Sequence, residues 1–167
     1  NYSQEVLEES GLLGFSNNDI YDRFRSRIMF PIWNASGKII AFGGRVFGTD
    51  DPAKYMNSPE TPLYRKSEIF YGLNLTRDAI RKNECAIMVE GYTDLIQLFQ
   101  AGIKNVVAVS GTAFTEKHVQ QIRRFSSKVY LAYDGDSAGI KAALRAGYVL
   151  LKGGVDPHVI EIPDGMN

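Results

Sequence analysis

A single cysteine, Cys85, leaves the chain unable to close an internal disulfide or to build a cysteine-based zinc site. No secretory leader pattern is visible, and no apolar run is long enough to cross a bilayer. These absences point to a reducing, cytoplasmic setting with no membrane partner. Neither a G-x-x-x-x-G-K-[ST] nor a G-x-G-x-x-G sequence occurs, which disfavours P-loop and dinucleotide-binding folds. Net charge is lacking too, because 19 Lys and Arg face 19 Asp and Glu. That balance alone would argue against a polyanionic partner.

The distribution of charge reverses that conclusion. Residues 1–21 carry four acids and no base, residues 22–82 carry eleven bases against six acids, and residues 83–167 carry eight bases against nine acids. A phosphate backbone would meet the basic middle, not the whole-chain sum. With 167 residues the chain is long enough to bury a core without staples.

Hydrophobic periodicity divides the chain into two halves. In the first, Val6, Leu12 and Leu13 suggest a helix over Tyr2–Leu13, a loop is expected over Gly14–Asn18, and Ile20 and Phe24 suggest a short helix over Asp19–Arg27. Ile28–Trp33 and Ile39–Phe47 read as a hairpin around Asn34-Ala35-Ser36-Gly37, with Pro31 marking an edge strand. Gly48–Pro62 reads as a polar loop. In the second half, Thr76 is expected to cap a helix that ends near Asn83. The runs Cys85–Val89, Val106–Val109 and Val129–Tyr133 are almost continuously apolar, as parallel strands covered on both faces are. Helices are expected over Leu95–Ala101, Thr115–Phe125 and Ala138–Leu151, with a fourth strand over His158–Ile162. The fold class is therefore α/β, a small parallel sheet flanked by helices and preceded by part of a smaller mixed α+β subdomain; the boundary falls between residues 75 and 76.

Ligands of open parallel sheets sit beyond the carboxyl ends of the strands. The residues expected there are Glu90, Ser110 and Asp134, with Asp136 two positions on. Carboxylates gathered at one place repel and raise one another's pKa unless a cation neutralises them. Magnesium suits such oxygen donors. Asp134-Gly135-Asp136 also suits an Asx turn and helix cap after a buried strand. A calcium loop is disfavoured, since Ala138 replaces a side-chain ligand and Arg145 stands where the bidentate Glu belongs.

Glu90-Gly91-Tyr92-Thr93-Asp94, followed by Asp134-Gly135-Asp136-Ser137-Ala138-Gly139, resembles the paired signature of the Toprim domain shared by primases, topoisomerases and some nucleases. The first half chooses among these. Arg27-Ile28-Met29-Phe30-Pro31-Ile32, Ala41-Phe42-Gly43-Gly44-Arg45, Lys54-Tyr55-Met56-Asn57-Ser58-Pro59-Glu60-Thr61, then Lys66 and Tyr71-Gly72-Leu73, resemble successive blocks of the bacterial primase catalytic core.

The resemblance implies a Toprim fold from about residue 84 on, with Glu90, Asp134 and Asp136 as catalytic metal ligands and Asp94 a further acid near the metals. Asp94 equally suits the first turn of a helix. Asp164, in the Pro163-Asp164-Gly165 turn, is a weaker metal candidate. The implied cofactor is Mg2+, with Mn2+ an alternative and no zinc expected, since the family's zinc module lies outside this stretch. Arg27, Arg45, Lys54, Tyr55, Asn57 and Lys66 combine cations, a stacking ring and an amide suited to triphosphates and a template strand; each cation equally suits a solvated surface. A shared role for Arg23, Arg25 and Arg27 is doubtful, because only an extended stretch would align them. His118 reads as structural or exposed. The implied partners are a single-stranded DNA template, ribonucleoside triphosphates, the RNA primer product, and the replicative helicase through a region not included here. A metal-dependent nuclease and a non-catalytic nucleotide or single-strand binding module are the competing readings.

Overall fold

A computed structural model describes residues 2–16, 19–109 and 111–162. The chain forms two compact units, Asn1–Arg65 and Lys66–Asn167, which puts residues 66–75 with the second.

The first unit begins with α1 (Gln4–Glu9), capped by Ser3, whose hydroxyl accepts the Val6 N–H. The chain then forms a two-stranded antiparallel ribbon of β1 (Leu13–Ser16) and β2 (Asp19–Asp22), with Phe15 opposite Ile20. This replaces the expected loop at residues 14–16 and the start of the expected helix over 19–27; residues 17 and 18 lie outside the described residues. The reason is local. The Asp22 carboxylate accepts the Phe24 N–H at 2.8 Å, an Asx turn that competes with helix, and Ser26 takes the left-handed conformation at φ 53°. Ile20 and Phe24 therefore part company, Ile20 into solvent and Phe24 into the core.

The expected hairpin forms from β3 (Arg27–Trp33) and β4 (Ile39–Val46). Its turn is built by Asn34, whose Oδ1 accepts the Ser36 and Lys38 amides at 3.0 Å each, and by Gly37 at φ 81°. β3 is an edge strand, as Pro31 suggested, because the order is β3-β4-β5. The added strand β5 (Tyr55–Asn57) comes from the stretch read as loop. Ser58 secures it, its amide donating to the Phe42 carbonyl and its hydroxyl accepting the Phe42 amide. Phe24, Phe30, Ile32 and Ala41 are buried in this unit.

The second unit opens with a 3-10 turn (Lys66–Glu68) and α2 (Leu73–Asn83). α2 starts three residues before Thr76. Tyr71 exchanges both backbone hydrogen bonds with Ala108, Gly72 turns the chain at φ 85°, and Thr76 is buried within the helix rather than capping it. There follow β6 (Ala86–Val89), α3 (Tyr92–Gln100), β7 (Val106–Ala108), α4 (Glu116–Ile122), β8 (Lys128–Leu131), α5 (Ser137–Lys152) and β9 (Asp156–Val159). All four strands are parallel, in the order β7-β6-β8-β9. Met88, Val107, Val129 and Leu131 pack with Phe70, Ile80 and Leu150 in one core; full burial of each such side chain stabilises by about 1.5–3 kcal/mol. The strand order sets the site. From β6 the chain goes to one side, to β7, and from β8 to the other, to β9, so β6 and β8 flank the point where the winding reverses.

Candidate metal centre and basic strand pair

Crevices for ligands open beyond the carboxyl ends of strands at such a reversal. Glu90 directly follows β6, and Asp134 lies three residues beyond the end of β8. The Asp134 amide donates to Glu90 Oε1 at 3.4 Å. The Glu90 carboxyl is pushed above its ordinary value, first by partial burial and then by the charge of Asp134, with Asp136 and Asp94 adding to the rise. Asp134 is also raised, by burial first and then by Asp94 and Asp136. The four acids thus share one electrostatic neighbourhood.

Two of them also hold helices. Asp136 caps α5, its Oδ1 accepting the Ala138 and Gly139 amides at 2.9 and 2.7 Å. Asp94 closes the start of α3, its Oδ2 accepting the Gly91 amide at 2.9 Å. Among the described residues no three His, Cys, Asp or Glu side chains are placed to hold an ion by themselves. The donor chemistry nevertheless fits magnesium, which is commonly held by one or two carboxylates together with substrate phosphates and water. Glu90 and Asp134 supply such a pair. Asp164 and Ser110 lie outside the described residues.

One neighbour escaped the sequence reading. Tyr133 is buried, and both burial and the Glu90 charge push its hydroxyl above the usual range. It lay inside an apolar run, where nothing distinguishes it from core.

In the first unit, Arg45 and Tyr55 are directly opposed across β4 and β5, with the guanidinium carbon 5.6 Å from the ring centroid. Asn57 lies two residues along from Tyr55, on the same face of β5. Lys54 precedes β5 and is exposed. Arg27 does not join them. Its side chain is only 1% exposed and is held by the Asp51 carboxylate and the Ala53 carbonyl. Arg23 and Arg25 fall in the turn after β2, Arg25 against the Tyr21 ring. Lys66 belongs to the second unit, at the start of its 3-10 turn. His118 is fully buried, its ring nitrogens facing the Thr115 amide and the Ile69 carbonyl.

Two family descriptions match the chain. "DNA primase catalytic core, N-terminal domain" matches residues 1–77, and "Toprim domain" matches residues 84–161. The DNA primase of Staphylococcus aureus (strain COL) is 44% identical over 168 residues, covering 99% of this chain and 28% of the relative. The chain therefore spans little more than a quarter of that relative's length. Among solved structures, the Aquifex aeolicus primase (zinc binding and RNA polymerase domains) superposes with a TM-score of 0.91 at 39% identity, over 98% of this chain and 41% of that one. A DnaG primase catalytic domain bound to single-stranded DNA superposes with a TM-score of 0.86 at 40% identity, over 98% of this chain and 52% of that one.

Proposed function

This chain belongs to the DNA primase family, carrying that family's catalytic-core N-terminal domain followed by a Toprim domain, and on that premise we propose that it houses the nucleotide-adding centre of an RNA polymerase that primes single-stranded DNA. The observation that carries the reading is the Glu90–Asp134 pair where the sheet winding reverses, with Asp94 and Asp136 in the same electrostatic neighbourhood.

Glu90, Asp134 and Asp136 would hold Mg2+, or Mn2+ in its place, with Asp94 and Asp164 as further acids. Such an ion, when bound, lowers the pKa of the attacking 3′-hydroxyl and offsets charge on the triphosphate and leaving pyrophosphate. The chain's own contribution is placement. The helix-capping bonds of Asp136 and Asp94 fix the backbones that follow β8 and β6, and Gly139 lets the Asp134 turn close tightly. In the subdomain over residues 1–75, Arg45 and Lys54 would meet phosphates, Tyr55 would stack on a base and Asn57 would offer its amide; Lys66 would add a cation. The partners would be a single-stranded DNA template, ribonucleoside triphosphates and the RNA primer, with the replicative helicase engaged through another part of the whole protein. Among the described residues no helix is long and apolar enough to cross a membrane.

The test uses the whole primase that contains this stretch, with single-stranded DNA, ribonucleotides and magnesium. Short RNA should form. Asp134→Asn should abolish it while leaving the fold intact by circular dichroism, and an unchanged yield would refute the assignment.

A further inference from the structure

The connection from β4 to β5, residues 47–54, should be loose by its composition. It runs Phe47-Gly48-Thr49-Asp50-Asp51-Pro52-Ala53-Lys54, and none of these residues is buried. Hydrophobic packing therefore does not order it. An ion pair does. Arg27, at the start of β3, sends its guanidinium into the connection with its side chain 1% exposed. One nitrogen donates to the Asp51 carboxylate and another to the Ala53 carbonyl at 2.7 Å. The second Asp51 oxygen accepts the Ala53 amide at 2.8 Å. Ala53 is thus held at both its amide and its carbonyl, each through the same ion pair. The next residue, Lys54, receives the Val46 amide on its carbonyl at 2.9 Å, and β5 begins one residue later.

We propose that Asp51 is a positioning residue for nucleotide and single-strand binding: by clasping Arg27 it fixes where Lys54 and Tyr55 stand on the basic strand pair. The proposal rests on the reading of β4 and β5 as a binding face given above. Asp51 touches no substrate in this scheme. Its carboxylate neutralises a buried guanidinium and closes a turn, and both effects end at Ala53, the residue before Lys54. A positioning role differs from a catalytic one in what it moves. The reacting acids lie on the other unit, so loss of the clasp should weaken binding with little change in turnover once substrate is bound.

The experiment uses the whole primase. Binding of a short single-stranded oligodeoxynucleotide is followed by fluorescence anisotropy, and KM for a ribonucleoside triphosphate is measured alongside kcat. Asp51→Ala should raise Kd and KM about tenfold with kcat within about twofold. Asp51→Glu, which keeps the carboxylate, should recover most of the loss, and Asp50→Asn, at the exposed neighbour, should change nothing. Where Asp51→Ala does not fold, Asp51→Asn should show the same split in milder form. A fall in kcat at unchanged KM, or Asp51→Glu as poor as Asp51→Ala, overturns the clasp. If Asp51→Ala binds normally while Lys54→Ala binds weakly, the clasp alone fails. If Lys54→Ala and Arg45→Ala both bind normally, the binding face fails and the clasp with it.

Discussion

A Cβ placed on Gly139 would stand 2.2 Å from the carbonyl oxygen of Asp134. No real pair of atoms tolerates that approach, and the obstacle is backbone, which cannot rotate away. The turn from β8 into α5 closes this tightly because Asp136 draws the Gly139 amide to 2.7 Å. Gly139 is thus required by space and not by backbone freedom, since its φ is ordinary.

Gly139→Ala should therefore push Asp134 away from Glu90 or strain the α5 cap. Overpacking of this kind typically costs about 1–3 kcal/mol. The expected outcome is a lower Tm together with at least a tenfold loss of priming, roughly what a misplaced reacting group costs. Thermal melting and a primer assay on the same preparation check both.

The acid cluster should trade stability for function. Glu90 and Asp134 have pKa values raised by partial burial and by neighbouring carboxylates, so their charged forms are worse off folded than unfolded. Removing one charge relieves that repulsion. Glu90→Gln should melt at a higher temperature than the parent without divalent ions, and it should lose most of the Tm increase that magnesium gives the parent, because a ligand stabilises only the state that binds it. A Glu90→Gln protein with an undiminished magnesium-dependent increase in Tm would remove Glu90 from the ion site.

His118 predicts how stability depends on pH. Its Nδ1 accepts the Thr115 amide at 3.2 Å, and its Nε2 faces the Ile69 carbonyl at 3.3 Å, which fits a neutral ring with the proton on Nε2. The Phe70 and Phe114 rings lie 4.8 and 5.4 Å away, centroid to centroid. Burial is the leading cause that lowers its pKa to about 4 from 6.5. The folded state binds this proton less well than the unfolded one. The stabilisation is therefore complete above about pH 6.5 and is lost as pH falls towards 4, amounting to about 3 kcal/mol across that window. His118→Gln, which cannot take up the proton, should flatten the fall in stability between pH 7 and pH 4.5 relative to the parent in urea titrations.

The parallel half of the fold was legible because its strands announce themselves. Ala86–Val89, Val106–Ala108 and Lys128–Leu131 are short apolar runs separated by helical periodicity, and the expected strands differ from these by one or two residues at their ends. The hairpin of β3 and β4 was legible for a similar reason, with Asn34 and Gly37 fixing the turn. The region before it was not. β2 is exposed throughout, so no burial pattern imposes an alternation, and Ile20 and Phe24 at helical spacing misled. β5 was missed because three residues carry too little period to read; its partner strand and Ser58 decide it. Thr76 shows the limit of capping rules, since a positive-φ glycine preceded by a backbone bridge starts α2 earlier than any side-chain cap could. The nearness of Glu90, Asp94, Asp134 and Asp136 to one another was legible from their positions after the strands, whereas the pairing of Arg27 with Asp51 depends on a contact between residues 24 positions apart.

Asp136 carries two assignments that one substitution series can separate. As the cap of α5 it needs only an oxygen that accepts the Ala138 and Gly139 amides, and Asn or Ser provides that oxygen nearly as well as Asp. As a metal ligand it needs the carboxylate charge, which hard cations favour and a neutral amide supplies poorly. Asp136→Asn should therefore keep stability to within about 0.5 kcal/mol while losing most priming activity, whereas Asp136→Ala should lose the activity and about 1 kcal/mol of stability besides. If Asp136→Asn primes as well as the parent, capping is the whole role of this residue. The ions would then have to be held by Glu90 and Asp134, with any further ligands coming from outside the turn that Asp136 begins.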